Sequence, residues 1–106
     1  MRAKTAKQIQ DELDREFSKA IKTRDKWQCV ICNSKDNLHC HHILPRENKE
    51  LRYNMNNAIT LCCMHHKFSL VISPHHNAFA FMHWLSLNRQ QQYNYIYNYQ
   101  CLQQCP

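Results

Sequence analysis

Leu38-His39-Cys40-His41-His42-Ile43-Leu44-Pro45-Arg46 and Asn57-Ala58-Ile59-Thr60-Leu61-Cys62-Cys63-Met64-His65-His66 are the two stretches whose reading decides the fold. The first alternates poorly but is long enough for a short strand over Leu38 to Leu44, stopped by Pro45. The second holds another strand over Ala58 to Leu61, entered through the turn-forming Asn54, Asn56 and Asn57. From Cys62 the chain is expected to enter a helix running through about Leu70. The resulting order is strand, long loop, strand, helix: a ββα unit on which the histidines and asparagines sit.

Just upstream stands Cys29-Val30-Ile31-Cys32, followed by the turn-forming run Asn33-Ser34-Lys35-Asp36-Asn37. Two thiolates separated by two residues reach one tetrahedral ion, because the turn between them brings both sulfurs to one side. Taken alone, the same pair also reads as a redox couple or as two buried thiols. A redox motif is expected in a βαβ setting, which this chain lacks. The second half of a zinc site is Cys62-x-x-His65, so Cys29, Cys32, Cys62 and His65 form a candidate Cys3His structural zinc site. The interval from Cys32 to Cys62 exceeds that of a zinc finger and suits a knuckle bracketing a ββα unit.

Length and charge narrow the function classes. A chain of 106 residues makes one small domain with a marginal core, for which metal bracing is a remedy. Lys and Arg outnumber Asp and Glu by 14 to 8, for a net charge of +6 and a pI near 9.0. That balance favours a polyanionic partner, nucleic acid ahead of a membrane surface, against the plainer reading of a basic soluble protein. Seven cysteines do not complete a disulfide framework, and Met1 to Lys7 is polar and basic rather than a signal region. An intracellular, reducing, cytoplasmic setting follows, where clustered Cys and His mean metal more often than disulfide. No apolar run approaches the ~18 residues of a membrane span. The chain has no glycine, so turns with positive φ must fall to Asn or Asp.

Residues 1–24 read as an amphipathic helix, with Ile9, Leu13, Phe17, Ala20 and Ile21 on one face and Asp11, Arg15, Lys19 and Lys22 opposite. It is a scaffold helix whose Lys19, Lys22, Arg24 and Lys26 are also placed for phosphate contacts. Ser73-Pro74 marks the start of a closing helix over about 74–89, with a stripe through Phe79 and Met82, and Phe81, Trp84 and Leu85 beside it. His75, His76 and His83 read as surface or capping residues. After Arg89 no charge remains and Gln, Asn and Tyr dominate. Tyr93, Ile96 and Tyr97 continue a docking helix on one reading; the alternative is a disordered tail whose tyrosines stack on bases. Cys101 and Cys105 are ordinary thiols with weak scope for a second metal site.

A His pair, an Asn, and a terminal His nine residues after that Asn resemble the HNH endonuclease family. The flanking Cys pair resembles its zinc-braced members, common in phage and bacterial genomes. The resemblance covers roughly Arg24 to Lys67, less than half the chain, and phage or mobile-element origin rests on it alone. It implies an α+β fold: a small ββα-metal core with a structural zinc knuckle, an N-terminal helix and a C-terminal helical extension. The nuclease domain would span 1–90, with its core at about 24–70, and 91–106 would be the Gln/Asn/Tyr-rich tail. The implied activity is divalent-metal-dependent hydrolysis of DNA, leaving 5′-phosphate and 3′-hydroxyl ends.

Carried over by position, the resemblance makes His42 the general base and Asn57 the residue that orients its imidazole through a hydrogen bond. An imidazole with a pKa near 6.5 is suited to that proton transfer. His41 and His66 would ligate the catalytic ion. Arg46 and Arg52 in the loop between the strands, and Lys67 after His66, are placed to contact phosphates near the cut, against the plainer reading of solvated loop charges. Adjacent strand residues face opposite ways, so His41 and His42 flank one phosphate only if the chain bends near Pro45.

The chain also departs from the family pattern. Many members have Asp where His41 stands, and imidazoles without a carboxylate shift preference from Mg²⁺ towards Mn²⁺, Co²⁺, Ni²⁺ or Zn²⁺. Some carry a further His four residues past the position of His66, where this chain has Leu70, which leaves two protein ligands with His39 as a weak substitute. The family usually has Cys at the position of His65, so Cys63 and Cys40 stay open as the fourth zinc ligand. The expected partner is double-stranded DNA, with no legible reading helix, no membrane, and a homodimer left open. The alternatives are a zinc-stabilised nucleic-acid-binding module without cleavage, a nuclease acting on branched DNA or RNA, and a structural or adaptor zinc protein.

Overall fold

The computed structural model describes residues 2–104, without the side chain of Gln104. Five regular elements follow one another: α1 (Ala6–Arg24), β1 (Leu38–His42), β2 (Ala58–Cys62), α2 (Ala78–Asn88) and α3 (Gln90–Gln104). A 3-10 turn (Met55–Asn57) leads into β2 and a single π-helical turn (Met64–Phe68) follows it. β1 and β2 pair antiparallel, with Leu38 opposite Cys62, His39 opposite Leu61, His41 opposite Ile59 and His42 opposite Ala58. The architecture is thus mixed helix with one small two-stranded sheet.

α1 begins at a capping box: Gln8 N–H donates to the Thr5 hydroxyl, and Thr5 N–H donates to the Gln8 side chain. Its apolar stripe is only half used. Phe17 and Ile21 are buried, whereas Ile9 and Leu13 remain 47% and 49% exposed, because a sheet of two short strands covers just the C-terminal half of the helix. The helix ends in a Schellman motif, with Lys26 N–H donating to Thr23 O and Trp27 N–H to Lys22 O. Without a glycine in the chain, Lys26 and Trp27 adopt the left-handed region there, at φ 62° and 54°. Asn33 and Asn37 do the same in the Cys29–Cys32 knuckle and after it, at φ 64° and 51°.

β2 is buried along its whole length and carries the core on both faces. Ile59 and Leu61 pack with Phe81 and Leu85 of α2, while Ala58 packs with Phe17 and Ile21 of α1. Asp25, whose side chain is almost fully buried, ties these layers together. Its carboxylate accepts from Thr60 N–H at 2.9 Å, from Arg24 Nε and Nη2 at 2.9 Å each, and from Arg89 Nη2 at 2.6 Å. Burial pushes this carboxyl up, but the two guanidiniums and the Thr60 amide outweigh it and hold it below the usual carboxylate range.

Three expectations are corrected here. The helix after β2 does not run to Leu70; it stops after one π-helical turn, and Ser69 to Asn77 form turns. The next helix starts not at Pro74 but at Ala78, capped by the Asn77 side chain, which accepts from Ala80 N–H. On it Phe81 and Leu85 face the core, and Phe79 is 88% exposed. Its sequence is apolar nearly all round, so periodicity could not choose a face.

The Gln/Asn/Tyr segment is a docked helix. Gln92 donates to the carbonyls of Asn56 and Ala58 at 3.1 Å each. The Tyr95 and Tyr99 hydroxyls accept from the side chains of Asn54 (2.8 Å) and Asn48 (3.2 Å), and Ile96 is buried. Cys101 is exposed and Cys105 lies outside the described residues. Among the described residues no helix is long and apolar enough to cross a membrane.

Candidate active site

Two clusters of metal-ligating side chains lie on the two-stranded unit. In the first, Cys29 N–H donates to Ser34 O and Asn33 N–H to Cys29 O, closing a knuckle that holds the buried Cys29 and the exposed Cys32 beside Cys62 and His65. Cys29, Cys32, Cys62 and His65 offer ligand atoms that all lie within 4.8 Å of one another, close enough to hold a metal ion. Cys32 Sγ is 3.7 Å from Cys62 Sγ, and His65 Nδ1 is 3.3 Å from Cys62 Sγ and 3.8 Å from Cys29 Sγ. Tetrahedral bonds of about 2.3 Å to sulfur and 2.0–2.1 Å to nitrogen set such ligand atoms roughly 3.5–3.8 Å apart, so the donor set fits.

The thiols are tuned unequally. Burial opposes ionisation of Cys29, but backbone N–H groups, including those of Cys62, Cys32 and Ile31, outweigh it and lower its pKa. Burial, together with the neighbouring Cys32 and Cys29 thiols, pushes Cys62 up to about 11, although the His65 backbone works the other way. A bound cation reverses that penalty. Cys63 and Cys40, the other candidates for fourth ligand, are not in this group. Cys40 packs against the Phe17–Ile21 face of α1, and burial raises its thiol to about 11.

The second cluster is built from imidazoles. Residues i and i+2 share a strand face, which turns His39 and His41 towards the π-helical turn that carries His66. His66 Nδ1 lies 2.8 Å from His39 Nδ1, and His66 Nε2 lies 3.1 Å from His41 Nδ1. His75, which the sequence placed outside the constellation, has its Nε2 3.1 Å from His66 Nε2. The ligand atoms of His41, His66 and His75 all fall within 4.8 Å of one another. Ser73 brings His75 there: its hydroxyl donates to His66 O at 2.7 Å and accepts from His75 N–H at 3.3 Å. That fold-back leaves no periodic trace in the sequence. Burial, then the neighbouring His66 and His75, lower His41 to about 3; burial, then His75 and His39, lower His66 to about 4. Both rings are neutral donors near pH 7.

His42 faces the other way, stacked on Phe17 at 5.4 Å between ring centroids. Its Nε2 lies 2.8 Å from the carbonyl oxygen of Arg52. Burial lowers its pKa, and the Arg52 carbonyl works partly against that. β1 ends at His42, and one cleft of about 630 Å³ is lined by His41, His42, His66 and His75 together with Asp14, Arg46 and Lys67.

Asn57 and Arg52 take other partners than expected. The fully buried Asn57 amide does not bond His42: its oxygen accepts from Leu44 N–H (2.7 Å), and its nitrogen donates to Leu44 O (3.0 Å) and Leu51 O (3.1 Å). It therefore closes the loop between the strands rather than touching the imidazole. Arg52 is engaged twice by the Asp14 carboxylate, at 3.0 and 2.7 Å, with Tyr53 also donating to Asp14. Those hydrogen bonds leave less of its guanidinium for a phosphate, whereas Arg46 and Lys67 are exposed beside the cleft.

No protein-family model, curated protein or solved structure matches the chain.

Proposed function

We propose that this chain is a divalent-metal-dependent endonuclease of the zinc-braced HNH type, with a ββα-metal core, hydrolysing DNA phosphodiester bonds. The observation that carries this reading is the meeting of the His41 and His66 ring nitrogens, 3.1 Å apart, in the same cleft as His42. A net charge of +6, with Arg46 and Lys67 at the cleft, supports a polyanionic substrate.

In this reading Cys29, Cys32, Cys62 and His65 hold a structural Zn²⁺. Cys62 and His65 flank the chain just before His66, so the brace also sets where His66 stands. His41 and His66 hold the catalytic ion, which when bound supplies positive charge at the phosphate and the leaving 3′ oxygen. His42 donates its Nε2 proton to the Arg52 carbonyl. That bond fixes the tautomer whose Nδ1 carries a lone pair, and Nδ1 takes the proton from the attacking water. Burial lowers the ring's pKa, which keeps it neutral and ready as a base at pH 7. Arg46 and Lys67 offset phosphate charge on either side of the cut.

Supercoiled plasmid incubated with zinc-loaded wild type and with His42→Ala tests this, without added ion and with Mg²⁺, Mn²⁺, Co²⁺ or Ni²⁺. Cleavage by wild type alone, and only with added ion, is expected. Retarded but intact DNA under every ion would replace the nuclease with a nucleic-acid-binding module.

A further inference from the structure

We propose that His75 is a third protein ligand of the catalytic ion, making a three-imidazole site at the mouth of the cleft. This rests on the reading of His41 and His66 as metal ligands. The sequence gives that ion two protein ligands and puts Leu70 where a third would be sought; the fold supplies one from a different place, the turn ahead of α2.

The geometry is that of a shared ion. His41 Nδ1 and His75 Nε2 each lie 3.1 Å from His66 Nε2. An ion about 2.1 Å from each nitrogen separates neighbouring ligand atoms by roughly 3.0–3.4 Å. The tautomers agree as well. His66 Nδ1 is 2.8 Å from His39 Nδ1, so a proton on His66 Nδ1 donated to His39 leaves Nε2 free to bind. His75 is itself held, because Ser73 bonds both the His66 carbonyl and the His75 amide. His41 and His66 are partly buried and His75 is exposed, so the trio approaches the ion from one side and leaves the other to water and phosphate. Three neutral nitrogen donors without a carboxylate select Co²⁺, Ni²⁺ or Zn²⁺ over Mg²⁺.

The test is Co²⁺ titration of protein whose cysteine site is already filled with zinc, read by calorimetry and by visible absorption without sulfur-to-cobalt charge transfer. Wild type is expected to bind one Co²⁺ beyond its zinc. His75→Ala should weaken that binding by at least ~10-fold, His41→Ala should abolish it, and His76→Ala should leave it unchanged. Retained zinc and unchanged circular dichroism show that each variant is folded. If His75→Ala binds Co²⁺ as tightly as wild type while His41→Ala does not, His75 is no ligand and the two-histidine site stands. If folded, zinc-loaded wild type takes up no second ion, the histidine site itself is refuted, and the nuclease reading falls with it.

Discussion

The His42 imidazole is anchored to the backbone of Arg52, with Nε2 2.8 Å from the carbonyl oxygen. Arg52 lies in the loop between the strands, and the loop keeps its shape through Asn57, which bonds Leu44 at one end and Leu51 beside Arg52 at the other. Asn57 therefore acts on His42 at one remove, through loop geometry.

Asn57→Ala would strand three backbone groups, the buried Leu51 carbonyl and the half-buried Leu44 N–H and carbonyl, and each buried group left unsatisfied costs about 1–3 kcal/mol. The expected loss of stability is about 3 kcal/mol or more in urea unfolding, with an unchanged m-value. His42→Ala, which removes the stack on Phe17 but leaves a single backbone group, the Arg52 carbonyl, without its partner, should cost less. Equal stability of Asn57→Ala and wild type would show that the loop does not depend on this amide.

Removing Cys62 should be more damaging still. Structural zinc contributes on the order of 10 kcal/mol or more to folding in small domains. This core is split between two small clusters on either side of one strand. Cys62→Ser should therefore lose zinc and the cooperative thermal transition together. A folded variant with no bound zinc, by elemental analysis, would refute the brace.

Asp25 gives a test that does not involve metal. Asp25→Asn removes the charge that Arg24 and Arg89 share, leaving two guanidiniums without a counterion. The guanidiniums left behind are 28% and 30% exposed, so water screens them and the expected cost is about 1–3 kcal/mol, less than for a fully buried pair. The folded carboxyl is held below its usual value near 3.9, so its contribution is fully present above that pH and is lost only as pH falls through the lower, folded pKa. The stability gap between wild type and Asp25→Asn should stay constant from about pH 8 down to about pH 5. A gap that shrinks across that range would mean that the ion pair is not what stabilises the contact.

Lys26 is the position where a substitution should help. It occupies the left-handed residue of the Schellman motif, at φ 62°, where a side chain costs about 1–2 kcal/mol that glycine avoids. Lys26→Gly should stabilise the chain by about 1 kcal/mol, raising Tm by roughly 4–8 °C. A lower Tm would mean that the lysine side chain contributes more than its backbone conformation costs.

β2 follows from an apolar run entered through asparagines, and β1, which alternates poorly, from its stop at Pro45. The two halves of the group of Cys29, Cys32, Cys62 and His65 follow from short ligand spacings that a turn closes, and the bond from Val30 N–H to Thr60 O brings the halves together. α1 is legible from its period, though not how little of it is buried, since that depends on the width of the sheet it meets.

The amino-acid sequence by itself determined α1, the two strands, the positive charge and the Cys-x-x-Cys and Cys-x-x-His halves of the cysteine site, because these depend on residues within a turn or a strand of one another. Only the tertiary structure decided where those groups look. His75 reaches His66 through a serine-held turn, Asn57 bonds the loop rather than the imidazole, Arg52 pairs with Asp14 across 38 positions, and Gln92, Tyr95 and Tyr99 dock an uncharged helix on that same loop. Each of these is a polar contact outside the helix and strand ladders. Such contacts form only where the folded chain brings two segments side by side, so no local pattern carries their signature.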